Sequence, residues 1–219
     1  MPGSFPVFDG VVAHLMQRLQ PRRLLDVGAG AGKYGRMLRG CAPGAWSQAL
    51  EIDAGLIARH GLAEVYSRVE VVDATHWWQQ DMASTFDLVV LGDCLQQMPK
   101  SAGLDLLNAL VYRSAWIVVV LPEFVVPQGE GPAPTAMHRS VWSERDLHWH
   151  DLWAWDHVRA TTLAVLRGYL PSPTLSMAQW HVELQAAHVM LQHFDGQTPV
   201  RPARLRLEQV PREVEYRLA

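Results

Sequence analysis

The first chemistry in this sequence lies in Asp26-Val27-Gly28-Ala29-Gly30-Ala31-Gly32, where an acid precedes three glycines at alternate positions. Glycines let a backbone turn sharply and approach a ligand with no Cβ in the way. A helix starting beyond them offers free N–H groups at its first turn. Many nucleotide folds use such a loop, so its spacing has to discriminate. A dinucleotide fingerprint wants a further glycine where Lys33 stands. A carboxylate just ahead of the loop would repel a pyrophosphate; it suits a ligand that carries an ammonium group. Glu51 closes the run Gln48-Ala49-Leu50, and a carboxylate at the inner end of a buried strand is costly without a partner. Asp73 follows a third apolar run, where a helix N-cap and a ligand contact are both open to it. Asp93, after a fourth, either caps the next turn or serves a site. His138 lies in Met137-His138-Arg139-Ser140-Val141-Trp142-Ser143, beyond a loop rich in Pro and Gly. An imidazole titrating near neutral pH could there act as base or hydrogen-bond partner to a substrate.

These residues need a scaffold that brings them to one rim, and the hydrophobic pattern supplies it. Apolar residues at helical spacing mark a helix over Val11–Leu19, ended by Pro21. Strands are expected at Arg23–Val27, Gln48–Ile52, Val69–Val72, Phe86–Leu91 and Ala115–Leu121, with helices at Lys33–Leu38, Ala54–His60 and Ser101–Tyr112 between them. Strands without polar alternation, separated by helices, imply a parallel sheet covered on both faces. The predicted fold is therefore a doubly wound, mostly parallel α/β sheet of seven strands. Ligands of such sheets bind beyond the carboxyl ends of the strands, which places the turns after positions 27, 51, 72, 91 and 121 on the ligand rim. Residues 122–137 read as a loop, Ser143 and Asp146 as a capping-box start, and Ala160–Leu166 as another strand. A helix over Met177–His193 and a Pro-interrupted tail follow, with Leu205, Leu207, Val214, Tyr216 and Leu218 suggesting a hairpin. One domain is expected over 1–219, with a core over 1–170 and an appendage over 171–219 that could cover the rim as a lid.

Taken together, LLDVGAGAGKYG, Glu51 in ALEI, Asp73-Ala74, FDLVVLGDCLQQM and the strand ending in VVVLP resemble the class I S-adenosylmethionine-dependent methyltransferases over roughly residues 22–125. The resemblance implies that S-adenosylmethionine is the cofactor and that its methionine part lies in the loop of Asp26, Gly28, Ala29, Gly30 and Gly32. It further implies that Glu51 accepts from both ribose hydroxyls and that Asp73 accepts from the adenine amino group. Ile52, Ala74 and Gly92 complete the cofactor-binding positions it implies. The reaction would carry a methyl group to oxygen, nitrogen or carbon of a small-molecule acceptor. Many relatives place a Glu-His pair after the fourth strand, where this chain has Gln96-Gln97. Acid–base function does not carry over to that pair, and His138 and Asp93 are the expected catalytic residues.

Composition narrows the partners. A formal net charge of −3 over 219 residues offers no broad basic surface for nucleic acid. No stretch is apolar enough for a transmembrane helix and no secretory leader is recognisable, so a cytoplasmic protein is expected. Cys41 and Cys94 lack disulfide-framework or metal spacing, and no metal site is expected. His148 and His150 stand two apart, on opposite sides of any helix, and are read as exposed or core-bonded. His181 and His188 are read as packing residues on one helix face. Two rival functions stay open: a nicotinamide-dependent oxidoreductase, and a non-catalytic binding protein of methyltransferase shape. Retention of a nicotinamide cofactor would favour the first, and a cofactor site that stays empty under saturating ligand the second.

Overall fold

The computed structural model describes residues 4–81, 83–125, 137–172 and 175–208. Helix α1 (Asp9–Leu19) precedes an alternating series: β1 (Arg23–Val27), α2 (Lys33–Cys41), β2 (Trp46–Glu51), α3 (Ala54–His60), α4 (Leu62–Val65), β3 (Arg68–Val71), α5 (Ala74–Gln80), β4 (Phe86–Gly92), α6 (Lys100–Val111) and β5 (Ser114–Pro122). Then come α7 (Glu144–Leu147), β6 (Leu152–Val158), β7 (Thr161–Arg167), α8 (Met177–Ala186), β8 (Met190–Gln192), β9 (Pro199–Pro202) and β10 (Arg206–Leu207). The main sheet runs β10-β6-β7-β5-β4-β1-β2-β3. Strands β1 to β5 pair in parallel, while β7, β6 and β10 each pair antiparallel to the neighbour before them in the sheet.

The α/β sheet is mostly parallel, as expected, but it has eight strands instead of seven. The extra edge is β10, two residues of the tail that pair with Trp155 and Ala154 of β6. Strand β6 carries apolar residues inward at 152, 154 and 158, with Asp156 buried in the same register. The expected helix over Met177–His193 stops at Ala186. His188 therefore lies beyond it, in left-handed conformation with φ 51°, and the next residues turn into the hairpin β8–β9. Val214, Tyr216 and Leu218 lie outside the described residues.

Two apolar layers hold the sheet. One face packs on α1, α2 and α8 through Val12, Leu15, Met16, Leu38, Trp116, Trp180 and Leu184. The other packs on α5, α6 and α7 through Trp77, Leu106, Leu107, Leu110, Trp142 and Leu147. Helix α8 is clamped to α1: the indole of Trp180, fully buried, donates to His14 Nδ1 at 3.1 Å, and Arg18 pairs with Glu183 at 3.2 Å. Ser143 and Asp146 form the capping box read from the sequence. Both cysteines are free thiols, and His150 reaches Asn108 Oδ1 at 3.1 Å. Among the described residues no helix is long and apolar enough to cross a membrane.

Candidate functional site

Strand order reverses between β1 and β4, and the crevice beyond that reversal is where doubly wound sheets take ligands. The glycine turn leaves β1 there. Gly28, Gly30 and Gly32 have φ of 70°, 52° and 77°, a region L side chains rarely adopt. A Cβ on Gly28 would stand 2.7 Å from Cys94 Cβ, so the turn after β1 packs directly on the Cys94 side chain of the turn after β4. The N–H groups of Gly28 and Ala29 both donate to Leu50 O, at 2.9 and 3.1 Å, which fastens the turn to the end of β2.

That fastening delivers Glu51. Its buried carboxylate accepts from Gly30 N–H at 2.8 Å through Oε2 and from Asp53 N–H at 3.0 Å through Oε1. Each oxygen retains a lone pair for a further donor. Ile52, next in the chain, is 43% exposed, apolar surface at the mouth of the turn. Asp73, two residues past β3, is the N-cap of α5, its Oδ1 accepting from Thr75 N–H at 2.9 Å and Thr75 Oγ1 at 2.7 Å. Ala74, the first residue of α5, is half-buried beside it.

Asp26 lies deeper. The hydroxyl of Tyr66 donates to its Oδ2 and accepts from Gly35 N–H in the first turn of α2 at 3.1 Å. Oδ1 is buried with no hydrogen-bond partner among the described residues. Burial pushes the Asp26 carboxyl up to about 7, against the lowering pull of Tyr66 and Lys33, while Glu51 adds a smaller upward push. A buried carboxylate with an unpartnered oxygen is costly until a donor or cation reaches it.

Asp93 has the same character on the β4 side. It is held at φ 54°, its N–H donates to Val120 O at 2.8 Å, and its Oδ2 accepts from Phe5 N–H at 2.5 Å. Oδ1 has no partner among the described residues, and burial pushes this carboxyl also up to about 7. The N-terminal segment that supplies Phe5 is tied down by Lys33, whose ammonium donates to Asp9 Oδ1 at 2.6 Å and to the carbonyls of Ser4 and Phe5 at 3.2 Å each. Gly92 lies against the ring of Tyr34, with no room for a side chain. Around this corner gather aromatic rings from three parts of the chain: Phe194 of the β8–β9 turn lies 4.8 Å from Phe5 and 6.4 Å from Phe124, centroid to centroid.

His138 belongs to the same corner. Its ring is hydrogen-bonded to the Phe124 backbone, and burial holds its pKa below the usual histidine value. Arg139 and Ser140 N–H both donate to Gln96 O, at 2.7 and 3.1 Å, which anchors the segment on the β4 turn. Gln96 is itself buried, and the Gln97 amide donates to Asp93 O at 3.0 Å. This pair braces the turn. The structure thus gathers Asp26, the glycines, Glu51, Ile52, Asp73, Ala74, Gly92, Asp93 and His138 along one rim. Sequence reading missed Tyr66, Tyr34 and Phe5, and saw in Lys33 only a broken fingerprint. Tyr66 sits 40 residues from its partner Asp26, and no local pattern advertises such a contact.

No protein-family model matches this chain, and no curated protein matches its sequence. Solved structures do match its fold. One is an O-methyltransferase family protein from Burkholderia thailandensis, at TM-score 0.55 and 13% identity over 74% of this chain and 55% of that protein. Another is the N-terminal domain of EvdMO1, determined in the presence of SAH and D-fucose, at TM-score 0.56 and 15% identity over 77% of this chain and 84% of that one. A third is a protein from Pyrococcus horikoshii OT3, at 0.53 and 16% over 74% and 89%. The chain spans about half the length of the Burkholderia protein. These likenesses show the class I methyltransferase fold.

Proposed function

We propose that this chain is an S-adenosylmethionine-dependent methyltransferase acting on a small-molecule acceptor. One observation carries the reading: two buried carboxylates, Asp26 and Glu51, converge on a single glycine turn at the switch point of the sheet, and one of them keeps an unpartnered oxygen. Such a turn suits a zwitterionic amino-acid moiety joined to a ribose better than it suits a pyrophosphate. The EvdMO1 domain, alike in fold, was determined with SAH, the demethylated form of the cofactor.

Asp26 Oδ1 would take the ammonium of the methionine part, the remaining lone pairs of Glu51 the ribose hydroxyls, and Ile52 and Ala74 the flat faces of the adenine. Asp73 keeps Oδ2 for the exocyclic amine after Oδ1 has capped α5. When bound, the cofactor supplies a methyl group on a sulfonium: the acceptor's lone pair forms the new bond to carbon while the carbon–sulfur electron pair stays on sulfur. Positioning supplies much of the acceleration, because the leaving thioether needs no proton. An acceptor that must lose a proton finds His138 neutral and Asp93 close to half-ionised near pH 7. Phe5, Phe124 and the hairpin residue Phe194 wall this corner, and the appendage thereby contributes to a cover that excludes water.

The test pairs calorimetry with turnover. S-adenosylhomocysteine should bind the purified chain stoichiometrically, and labelled methyl should pass from S-adenosylmethionine into a component of a metabolite pool. No heat of binding at saturating ligand would overturn the reading; a nicotinamide cofactor retained on purification would replace it with the oxidoreductase.

A further inference from the structure

Away from the glycine turn, β6, α8, β9 and β10 border an open groove of about 720 Å³. Its size falls within the range of small-molecule sites. Its charge is one-sided: Arg201, Arg204 and Arg206 line it, with His157 and His181, and Asp156 is the one acid among the lining residues. Asp156 is already spent. Buried to 3% exposure, it accepts from Arg201 at 2.6 and 3.2 Å, from Arg204 N–H at 3.1 Å and from His157 N–H at 2.8 Å. The Asp156–Arg201 pair is thus a neutral floor with its hydrogen bonds made.

Two further cations stand at the rim, on and just before the edge strand β10. The guanidinium of Arg204 has no hydrogen bond or ion pair among the described residues. That of Arg206 lies 4.5 Å over the ring of Trp155, likewise without an ion pair among the described residues. A stacked guanidinium keeps its N–H edge open, the geometry that accepts carboxylate or phosphate oxygens two at a time. His181 adds a buried Nδ1 with no partner among the described residues, and His157 is engaged by Glu123 at 2.9 Å. Like charges gathered in one concavity repel unless an anion joins them.

We propose that this groove binds an anionic small molecule carrying a phosphate or carboxylate group, held by Arg204 and Arg206 at its rim. The ligand class is set by the shared chemistry of those oxygens. The groove lies at the β6–β10 edge, four strands along the sheet from β1 and its glycine turn, so it is testable whatever becomes of the methyl-transfer reading.

Titration calorimetry of the full chain with pyrophosphate, and separately with citrate, distinguishes the two sources. At least one probe should saturate with a Kd below about 1 mM and weaken as salt is raised. Arg204→Gln and Arg206→Gln, at exposed positions, should each weaken it by about tenfold or more, with circular dichroism unchanged. Arg59→Gln, on the exposed face of α3, should leave the affinity as it was. The proposal is overturned if neither probe saturates, if both groove variants bind undiminished, or if Arg59→Gln weakens binding equally.

Discussion

Replacing Asp26 with asparagine should change how ligand affinity depends on pH. Burial pushes this carboxyl up to about 7, so it is mostly protonated in the unliganded protein at pH 5. An incoming ammonium requires the charged form, and binding therefore has to remove the proton. With a pKa of about 7, deprotonation costs about 2.7 kcal/mol at pH 5 and about 0.4 kcal/mol at pH 7. S-adenosylhomocysteine should accordingly bind about fiftyfold more tightly at pH 7 than at pH 5, with about half a proton released per complex at pH 7. Asp26→Asn keeps an oxygen for the Tyr66 hydroxyl and removes the titration, so its affinity should be lower at pH 7 and nearly flat with pH. The stability of the unliganded protein follows with the opposite sign. A carboxyl raised from 3.8 contributes stability that is full at low pH and is lost as the pH rises through about 7. Across that window Asp26→Asn should gain on wild type in thermal midpoint. Calorimetry in buffers of different ionisation enthalpy reads the proton count directly. A wild-type affinity equal at pH 5 and 7, or a slope that survives in Asp26→Asn, would refute the argument.

The other tests are simpler. Glu51→Ala removes the acceptor for Gly30 and Asp53 along with two ribose bonds worth roughly 1.5–3 kcal/mol each before water compensates; calorimetry should show S-adenosylhomocysteine weakened by about tenfold or more, and unchanged affinity in a folded variant would remove Glu51 from the site. Gly28→Ala forces a Cβ against Cys94 at left-handed φ and should cost about 1–3 kcal/mol, read as a thermal midpoint lower by roughly 3–10 °C; an unshifted midpoint would mean that the two turns do not touch. His138→Gln and His138→Ala should both lose turnover by roughly 10²-fold with cofactor affinity intact if the ring takes a proton. A Gln variant that keeps its rate would limit His138 to orientation, and near-normal turnover in both would leave Asp93 or positioning alone.

What was legible in the sequence was local. Strands β1 to β5 fall within two residues of the segments read from the sequence, and the turn after Val27 carries its spacing openly. What was not legible depends on distant partners. Strand β6 hides because Asp156 takes an inward position, acceptable only since Arg201 arrives 45 residues later. Its hairpin with β7 hides as well. The two-residue turn Arg159-Ala160 has φ of 50° and 52°, a conformation usually signalled by Asn or Gly. Neither is present. Helix α8 stops at Ala186 although apolar residues continue, because Val189 and Leu191 are wanted in the layer against α1. At the site, Glu51 and the glycines could be read from the sequence, whereas Tyr66 as the companion of Asp26 could not.

Lys33 sets a practical condition on any experiment with this protein. Its ammonium latches the carbonyls of Ser4 and Phe5 beside the glycine turn, and Phe5 reaches on to Asp93. Whatever polypeptide is joined ahead of Ser4 therefore departs from the mouth of the crevice, not from a remote corner. An affinity tag fused there would crowd the opening and pull on the latch, and a weak or absent activity in such a preparation would report on the fusion. The described residues end at Glu208, whose N–H donates to Trp153 O beside β10, at the edge of the sheet five strands from β1, so a handle inserted next to Glu208 starts away from the glycine turn.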